Sequence, residues 1–236
     1  ARAAPRTTTQ ASGAAKGSSR CRMSSINVRK DLRSQFGPTR DQGARPTCLA
    51  FAMSDAHAAT RKHWAALSCE YLFYCSKQHD KTAPDKGARM SSIRHAVEHI
   101  GQPVENDWPY LDALPSNMKL WKPPAKLGSI FRRPAKEIGS GFKEAWDSVV
   151  GGDPALLGMT ISNAFYRPDS EGVVDSAEAI DSQRRHAVVA AAVGEKKGKK
   201  YLLVRNSWGD TWGLSGYAWL TERYLAPRVI IVVTLN

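Results

Sequence analysis

The sequence has few of the features that mark membrane-spanning or disulfide-rich proteins. Its longest apolar run covers Ala187 to Val193, far short of the roughly 20 residues that a transmembrane helix needs. Four cysteines among 236 residues are too few for a disulfide scaffold of this size. Residues 1–25 contain no apolar stretch of the kind found in a signal peptide. These absences exclude a membrane span and favour a globular domain.

Acidic residues are missing from residues 1–30, and this absence explains much of the net charge of +12. The segment has seven Lys and Arg residues but no Asp or Glu, while residues 116–145 have seven basic and two acidic residues. Residues 1–25 also have few large apolar side chains, so burial cannot offset the entropy cost of ordering them. They contain no aromatic residue that would stack on a base. We therefore predict a flexible basic tail over residues 1–30, with weak contact to an anionic surface at most and no nucleic-acid partner.

The remainder of the chain changes from helical to β-rich sequence. Residues 48–66 have helical apolar spacing without Gly or Pro, with Thr47 as a candidate cap. We predict a second helix capped by Ser68 and a third helix over residues 91–100, closed by Gly101. Short apolar or β-branched runs between turn signals dominate the second half. The order of helices before strands predicts an α+β fold. Its parts are a mainly helical domain (31–114), a Pro-rich basic connection or insertion (115–145) and a β-rich domain (146–236).

Cys48 is the first candidate for chemistry, because it opens the first predicted helix. The positive end of a helix dipole favours a thiolate there, although a lone Cys is more often a small buried apolar group. Gln42, six residues earlier, can donate its amide to an oxyanion. His186 opens a predicted strand, and Asn206 follows the next one. A thiol, a base and an amide that orients the base are what nucleophilic catalysis by cysteine requires.

The chain resembles the papain-like cysteine peptidases (family C1), particularly their bacterial members, over about four-fifths of its length. The separation of 138 residues between Cys48 and His186 fits the spacing of about 130–150 residues typical of that family. Among its motifs, the last one along the chain, Arg205–Tyr217, is the most specific. The motifs that carry the resemblance are Asp41-Gln42-Gly43, Thr47–Ala52, Leu67-Ser68 with Glu70, Trp108-Pro109-Tyr110, His186-Ala187-Val188 and Arg205–Tyr217.

The resemblance implies a helical left domain, a β-barrel-like right domain and an active-site cleft between them. It implies that Cys48 is the nucleophile and forms a thiolate–imidazolium pair with His186. Asn206 would orient the imidazole ring, and Gln42 would stabilise the oxyanion. The expected reaction is hydrolysis of peptide bonds through a thioester acyl-enzyme, without cofactor or metal.

The resemblance also implies substrate-binding residues. Trp208 would shield the bond between His186 and Asn206, and Trp212 would form an aromatic wall on the primed side. Gly87 would bind the substrate backbone near P2, and Met90 would border the S2 pocket.

Four positions depart from the family pattern. Arg45 stands where the family often has a cysteine, which leaves Cys75, the partner of that cysteine in the family, unpaired. Leu49 replaces a common Trp. Arg184 and Arg185 directly precede the catalytic His, where two cations would oppose protonation of the ring and select acidic substrate groups near P2 or P1′. The alternative is that both arginines face solvent.

Several alternatives stay open at this point. The chain is either a working peptidase or a papain-like scaffold with a binding role and weak turnover. A third option is acyl transfer, such as transpeptidation or deamidation, by the same triad. His95 and His99 have a spacing that can hold zinc, but no third ligand is signalled and we expect no metal. We expect a monomer of bacterial origin, either cytoplasmic or exported after N-terminal processing.

Overall fold

Three helical segments are the main regular elements in the first half of the chain. The computed structural model describes residues 26–235. Helix α1 ends earlier than predicted, because the chain turns at Thr60, whose backbone N–H and hydroxyl both donate to the carbonyl of His57. Ser68 caps α2 as predicted, accepting a hydrogen bond from the backbone N–H of Tyr71 at 3.0 Å. Gly101 closes the third helical segment with a φ of 84°. The helical segments are α1 (Cys48–Ala59), α2 (Cys69–Asp80) and α3 (Met90–His95), which continues as one π-helical turn (Ala96–Ile100).

An eight-stranded sheet dominates the second half, with three further helices around it. The strands pair in the order β2-β8-β3-β5-β6-β7-β4, and β1 pairs with β5 outside this path. All pairs are antiparallel except β4 with β7. The strands are β1 (Asn27–Asp31), β2 (Ala135–Gly139), β3 (Ala155–Thr160), β4 (Val173–Val174), β5 (Arg185–Lys196), β6 (Lys199–Arg205), β7 (Tyr217–Thr221) and β8 (Val229–Leu235); the helices are α4 (Phe142–Gly151), α5 (Asn163–Tyr166) and α6 (Glu222–Leu225).

Two boundaries predicted from the sequence need correction. Residues 27–30, assigned to the flexible tail, belong to strand β1, which pairs with the long strand β5. The remainder of the tail prediction falls on residues 1–25, outside the described residues. The predicted connection over 115–145 also ends in regular structure, because β2 pairs with β8 and α4 begins at Phe142. Strands β1 and β2 each contain only one large apolar residue, so the sequence has no clear hydrophobic pattern that would predict them.

One hydrophobic core joins the helical part to the sheet. Helix α1 packs against β5 and β3, and Met53 of the helix belongs to the same buried cluster as Leu157 and Val189 of the strands. The predicted mixed α+β architecture is therefore confirmed. No helix within residues 26–235 has the length and hydropathy needed to cross a membrane.

A buried ion cluster also links α1 to the sheet. Asp55 of α1 accepts hydrogen bonds from Nε and Nη2 of Arg40 at 3.0 and 2.5 Å and from Nε of Arg205 at 2.6 Å. Arg205 ends β6 and also donates to the carbonyls of Gly37 and Pro38 at 2.9 and 2.5 Å. Burial raises the pKa of Asp55, but the two guanidinium groups outweigh burial and hold this pKa below its usual value. The cluster fixes the end of β6, directly before Asn206.

Candidate active site

Cys48 lies at the N-terminus of α1, with its thiol facing strand β5. Its side chain is half-buried. Burial raises the pKa of the thiol, while the backbone of Ala187, Leu49 and Cys48 itself interacts with the sulfur and opposes this shift. Ala187 directly follows His186. The packing of α1 on the sheet therefore brings Cys48 close to His186, although the two residues are 138 positions apart in the sequence.

His186, on strand β5, and Asn206, directly after the neighbouring strand β6, form a buried pair. Nε2 of His186 lies 2.7 Å from Oδ1 of Asn206. That oxygen also accepts a hydrogen bond from the backbone N–H of Ser207 at 2.9 Å, so the amide orientation is determined. An amide oxygen can only accept, so Nε2 carries the hydrogen and Nδ1 is bare in the neutral ring. Burial lowers the pKa of His186 to about 4, although the bond to Asn206 acts in the opposite direction.

Gln42 is held in a fixed position between two loops. Its Nε2 donates to the carbonyl of Arg45 at 2.8 Å, and its Oε1 accepts from the hydroxyl of Ser207 at 2.7 Å. The backbone N–H of Gln42 donates to the carbonyl of Ser207 at 2.8 Å. The loop before α1 is therefore tied directly to the loop that carries Asn206. Sequence analysis did not single out Ser207, although it lies within the most specific motif.

Arg45 forms a buried ion pair with helix α2. Its Nη1 and Nη2 lie 2.6 and 2.9 Å from the two carboxylate oxygens of Glu70, on α2. The indole N–H of Trp121 donates to the same carboxylate at 2.6 Å. Both charged side chains are almost fully buried. This pair anchors the loop before Cys48 to α2. Cys75 is not bonded to either of the other cysteines within residues 26–235.

Aromatic rings cover the pair formed by His186 and Asn206. The Trp208 ring lies 4.7 Å from the His186 ring, centroid to centroid. Tyr166, which is 50% exposed, stacks on Trp208 at 5.2 Å with 14° between the planes. Trp212 is only 7% exposed, and its Nε1 donates to the carbonyl of Phe165 at 3.1 Å. The three rings of Tyr166, Trp208 and Trp212 line one open depression of about 530 Å³. Tyr166 is its most exposed ring, and no sequence motif pointed to it.

Comparisons with known proteins show which family the chain belongs to. Residues 23–226 match the model of the papain family of cysteine proteases. The chain belongs to that family. It is 24% identical to cysteine proteinase 3 of Dictyostelium discoideum over 81% of its length and 28% identical to cathepsin K of Gallus gallus over 78%. It spans 57% and 55% of the length of these two relatives.

Solved structures show the same fold. Xylellain, a cysteine protease from Xylella fastidiosa, superposes with a TM-score of 0.70 at 17% identity, over 91% of this chain and 87% of its own. This match establishes the papain-like fold. The bacterial origin that the sequence suggested is not confirmed, because the two curated relatives above are eukaryotic.

The two residues expected to bind substrate near P2 lie beside the papain-family site. Gly87 faces the loop before Cys48, since a Cβ placed on it would lie 3.8 Å from the carbonyl oxygen of Pro46. Met90 reaches strand β3, since a Cβ on Gly158 would lie 3.8 Å from Cε of Met90. Gly158 pairs with Ala187 of β5. Met90 therefore approaches the strand that neighbours His186.

Arg184 and Arg185 are not directed at the imidazole in this papain-family chain. Nη1 of Arg184 donates to Oδ1 of Asn163 at 2.7 Å, and its Nε forms an ion pair with Asp181 at 3.2 Å. Arg185 donates to the carbonyl of Ser182 at 3.0 Å. Both side chains are exposed, and burial, rather than either arginine, lowers the pKa of His186. The structure favours the solvent-facing alternative.

The two histidines considered as metal ligands, His95 and His99, form a row with His79 on the helical surface. The His95 ring lies 4.2 Å from His79 and 4.7 Å from His99. His79 also hydrogen-bonds Ser92. Within the described chain, no group of three His, Cys, Asp or Glu side chains has an arrangement that could hold a metal ion.

Proposed function

We propose that this chain is a cysteine peptidase that hydrolyses peptide bonds through Cys48, His186 and Asn206. The observation that carries the proposal is the orientation of Asn206. Because its oxygen faces Nε2 of His186, Nδ1 is the ring nitrogen left to accept the thiol proton. A thiol at a helix N-terminus and an oriented imidazole beside it have the chemistry of an activated nucleophile.

The proposed reaction begins with transfer of the Cys48 proton to Nδ1 of His186. The thiolate sulfur attacks the carbonyl carbon of the scissile peptide bond, and its oxygen becomes an oxyanion. His186 then gives its proton to the leaving amine as the C–N bond breaks, which leaves a thioester on Cys48. Water, deprotonated by His186, attacks the thioester carbon. The carboxylic acid leaves, and the thiol is restored.

Two N–H donors are suited to the oxyanion. The backbone N–H of Cys48 lies in the first turn of α1, where no intrahelical acceptor exists. Nε2 of Gln42 uses one hydrogen for the carbonyl of Arg45 and has a second one to donate. A donor of this kind typically contributes about 3–4 kcal/mol to transition-state stabilisation.

Burial raises the pKa of Cys48 and lowers that of His186 to about 4, so neither ion is favoured alone. Proton transfer between them creates two opposite charges side by side, and each then stabilises the other. The Trp208 ring above the imidazole limits access of water to the hydrogen bond with Asn206. We therefore propose that the pair ionises jointly.

Alkylation by iodoacetamide at pH 5.5 tests this joint ionisation. Cys48 should react at least tenfold faster than Cys69 and Cys75, because burial raises the pKa of Cys69 well above its usual value and that of Cys75 to about 11. A His186→Asn variant, which lacks the proton acceptor, should lose this fast reaction. Peptide mapping by mass spectrometry measures each site. Equally slow reaction at all three cysteines would contradict the proposal.

We further propose that Gly87 and Met90 contact the substrate near P2. Their positions beside the loop before Cys48 and beside strand β3 support this assignment. A positional peptide library cleaved by the wild type, by Met90→Ala and by inactive Cys48→Ala tests it, since only the P2 preference should change in Met90→Ala. The same library with Arg184→Ala and Arg185→Ala tests the predicted acidic preference, which the outward position of both arginines does not favour.

A further inference from the structure

A cationic depression lies at the end of α1 that is opposite Cys48. With a rise of about 1.5 Å per residue, the 12 residues of α1 separate the two by about 18 Å. The depression encloses about 470 Å³. Four of its residues are cationic, namely Arg61, Lys62, Arg132 and Arg133. The other five are His57, Thr60, His63, Ile130 and Phe131.

Within residues 26–235, the four cations have no carboxylate partner. Among the described residues, none of them forms an ion pair, and no Asp or Glu lines the depression. Asp153 lines a separate depression that shares Arg133 with this one. The basic residues 1–25 contain no carboxylate side chain either. The positive charge is therefore uncompensated.

Two guanidinium groups also have buried nitrogen atoms that find no hydrogen-bond acceptor in the described part of the chain. These are Nη1 of Arg61 and Nε of Arg133. Arg61 lies over the Phe131 ring at 3.8 Å, and Arg133 donates through Nη2 to the carbonyl of Thr60 at 3.4 Å. Both side chains are thus held by packing with donors left over. A buried N–H donor normally has an acceptor.

The pKa of His57 reflects the positive charge of the depression. Burial, followed by Arg133 and Arg61, lowers the pKa of His57 to about 4, so the imidazole stays neutral. Nδ1 of His57 accepts from the side-chain amide of Gln102 at 2.8 Å, which fixes the neutral tautomer. The histidine therefore does not add to the charge, and the four cations define the site.

We propose that the cationic depression binds a small organic molecule that carries two or more phosphate or sulfate groups. Guanidinium groups match the oxygen pairs of such groups in geometry and charge. The volume exceeds that of one oxyanion, and Ile130 and Phe131 offer an apolar wall for a carbon skeleton. Arg132 and Arg133 belong to residues 116–145, where basic residues outnumber acidic ones. Part of this excess of positive charge would therefore serve to bind an anion.

Calorimetric titration with inositol hexakisphosphate, sucrose octasulfate and inorganic phosphate tests the site, at an ionic strength held constant with sodium chloride. Saturable binding of either polyanion, at least tenfold tighter than that of inorganic phosphate, is expected. Tighter binding of inositol hexakisphosphate would identify phosphate as the preferred group, and tighter binding of sucrose octasulfate would identify sulfate. If neither polyanion binds saturably, or if inorganic phosphate binds as tightly, the proposal is wrong.

Paired variants separate a built site from general charge attraction. Lys62→Gln with Arg132→Gln removes two exposed cations of the depression and should weaken binding at least tenfold. Lys119→Gln with Lys126→Gln removes the same charge from exposed positions of residues 116–145 that do not line the depression, and should change binding less than twofold. Equal loss in both variants would overturn the proposal. Cys48→Ala should bind like the wild type, so the result does not depend on peptidase activity.

Discussion

Replacement of Asp55 by Asn should destabilise the fold and slow catalysis together. The carboxylate receives three hydrogen bonds from Arg40 and Arg205 and is only 3% exposed. An Asn of similar shape leaves the buried guanidinium of Arg205 without a counter-ion and that of Arg40 with only Glu105, at 3.4 Å. Loss of one partner from a buried charge network costs about 3–5 kcal/mol, which for a chain of this size corresponds to a fall in Tm of roughly 6–20 °C. Since Arg205 directly precedes Asn206, kcat should fall as well.

Urea unfolding of the wild type, Asp55→Asn and the control Asp210→Asn measures this difference. Asp210 is exposed, so its replacement should cost less than about 0.5 kcal/mol. The folded-state pKa of Asp55 is lowered, so its contribution is complete above the unfolded carboxyl pKa of about 4 and is lost as the pH falls towards the folded value. The stability gap should therefore be constant from pH 8 to 5 and shrink below pH 4. A gap as small as that of the control would refute the reasoning.

Two further variants test the surroundings of the site. Arg45→Gln leaves the buried Glu70 without its cation and should lower the free energy of unfolding in urea by about 3–5 kcal/mol. The exposed control Arg89→Gln should lower it by less than about 0.5 kcal/mol. Equal values for the two variants would contradict a structural role for the pair of Arg45 and Glu70. Tyr166→Ala removes the exposed ring stacked on Trp208 and should lower kcat/KM about tenfold for substrates with a large apolar P1′ residue. An equal fall for substrates with Gly at P1′ would show that the ring has no part in selectivity.

Local signals in the sequence were sufficient for the elements that position the site. Apolar spacing places the start of α1 at Cys48, but the predicted cap Thr47 makes no side-chain cap hydrogen bond, and its hydroxyl lies 2.8 Å from that of Tyr110. The cap at Ser68 follows from its residue type, and the mixed fold follows from the change in period along the chain. Strands β1 and β2 escaped prediction because pairing with β5 and β8, and not their own apolar content, makes them strands.

Contacts between distant residues had no such signal. The ion pair of Arg45 with Glu70 joins positions 25 residues apart, and a sequence shows only that a cysteine is absent there. The stacking of Tyr166 on Trp208 depends on how α5 packs against the loop after β6. The outward direction of Arg184 depends on its ion pair with the nearby Asp181 and on its hydrogen bond to Asn163, which is 21 residues away in sequence and is brought near only by the fold.

The arginines of this chain fall into two groups with different consequences. Arg40, Arg45 and Arg205 are buried with carboxylates and fix the loops that carry Gln42 and Asn206. Arg61 and Arg133 are packed with donors unpaired, at the other end of the same helix that begins with Cys48. An arginine paired with a carboxylate of the same chain stabilises the folded protein. An arginine that lacks such a partner and lines a depression can instead stabilise a complex with a bound anion. The positive charge in residues 116–145 therefore belongs in part to a site distinct from the catalytic cleft.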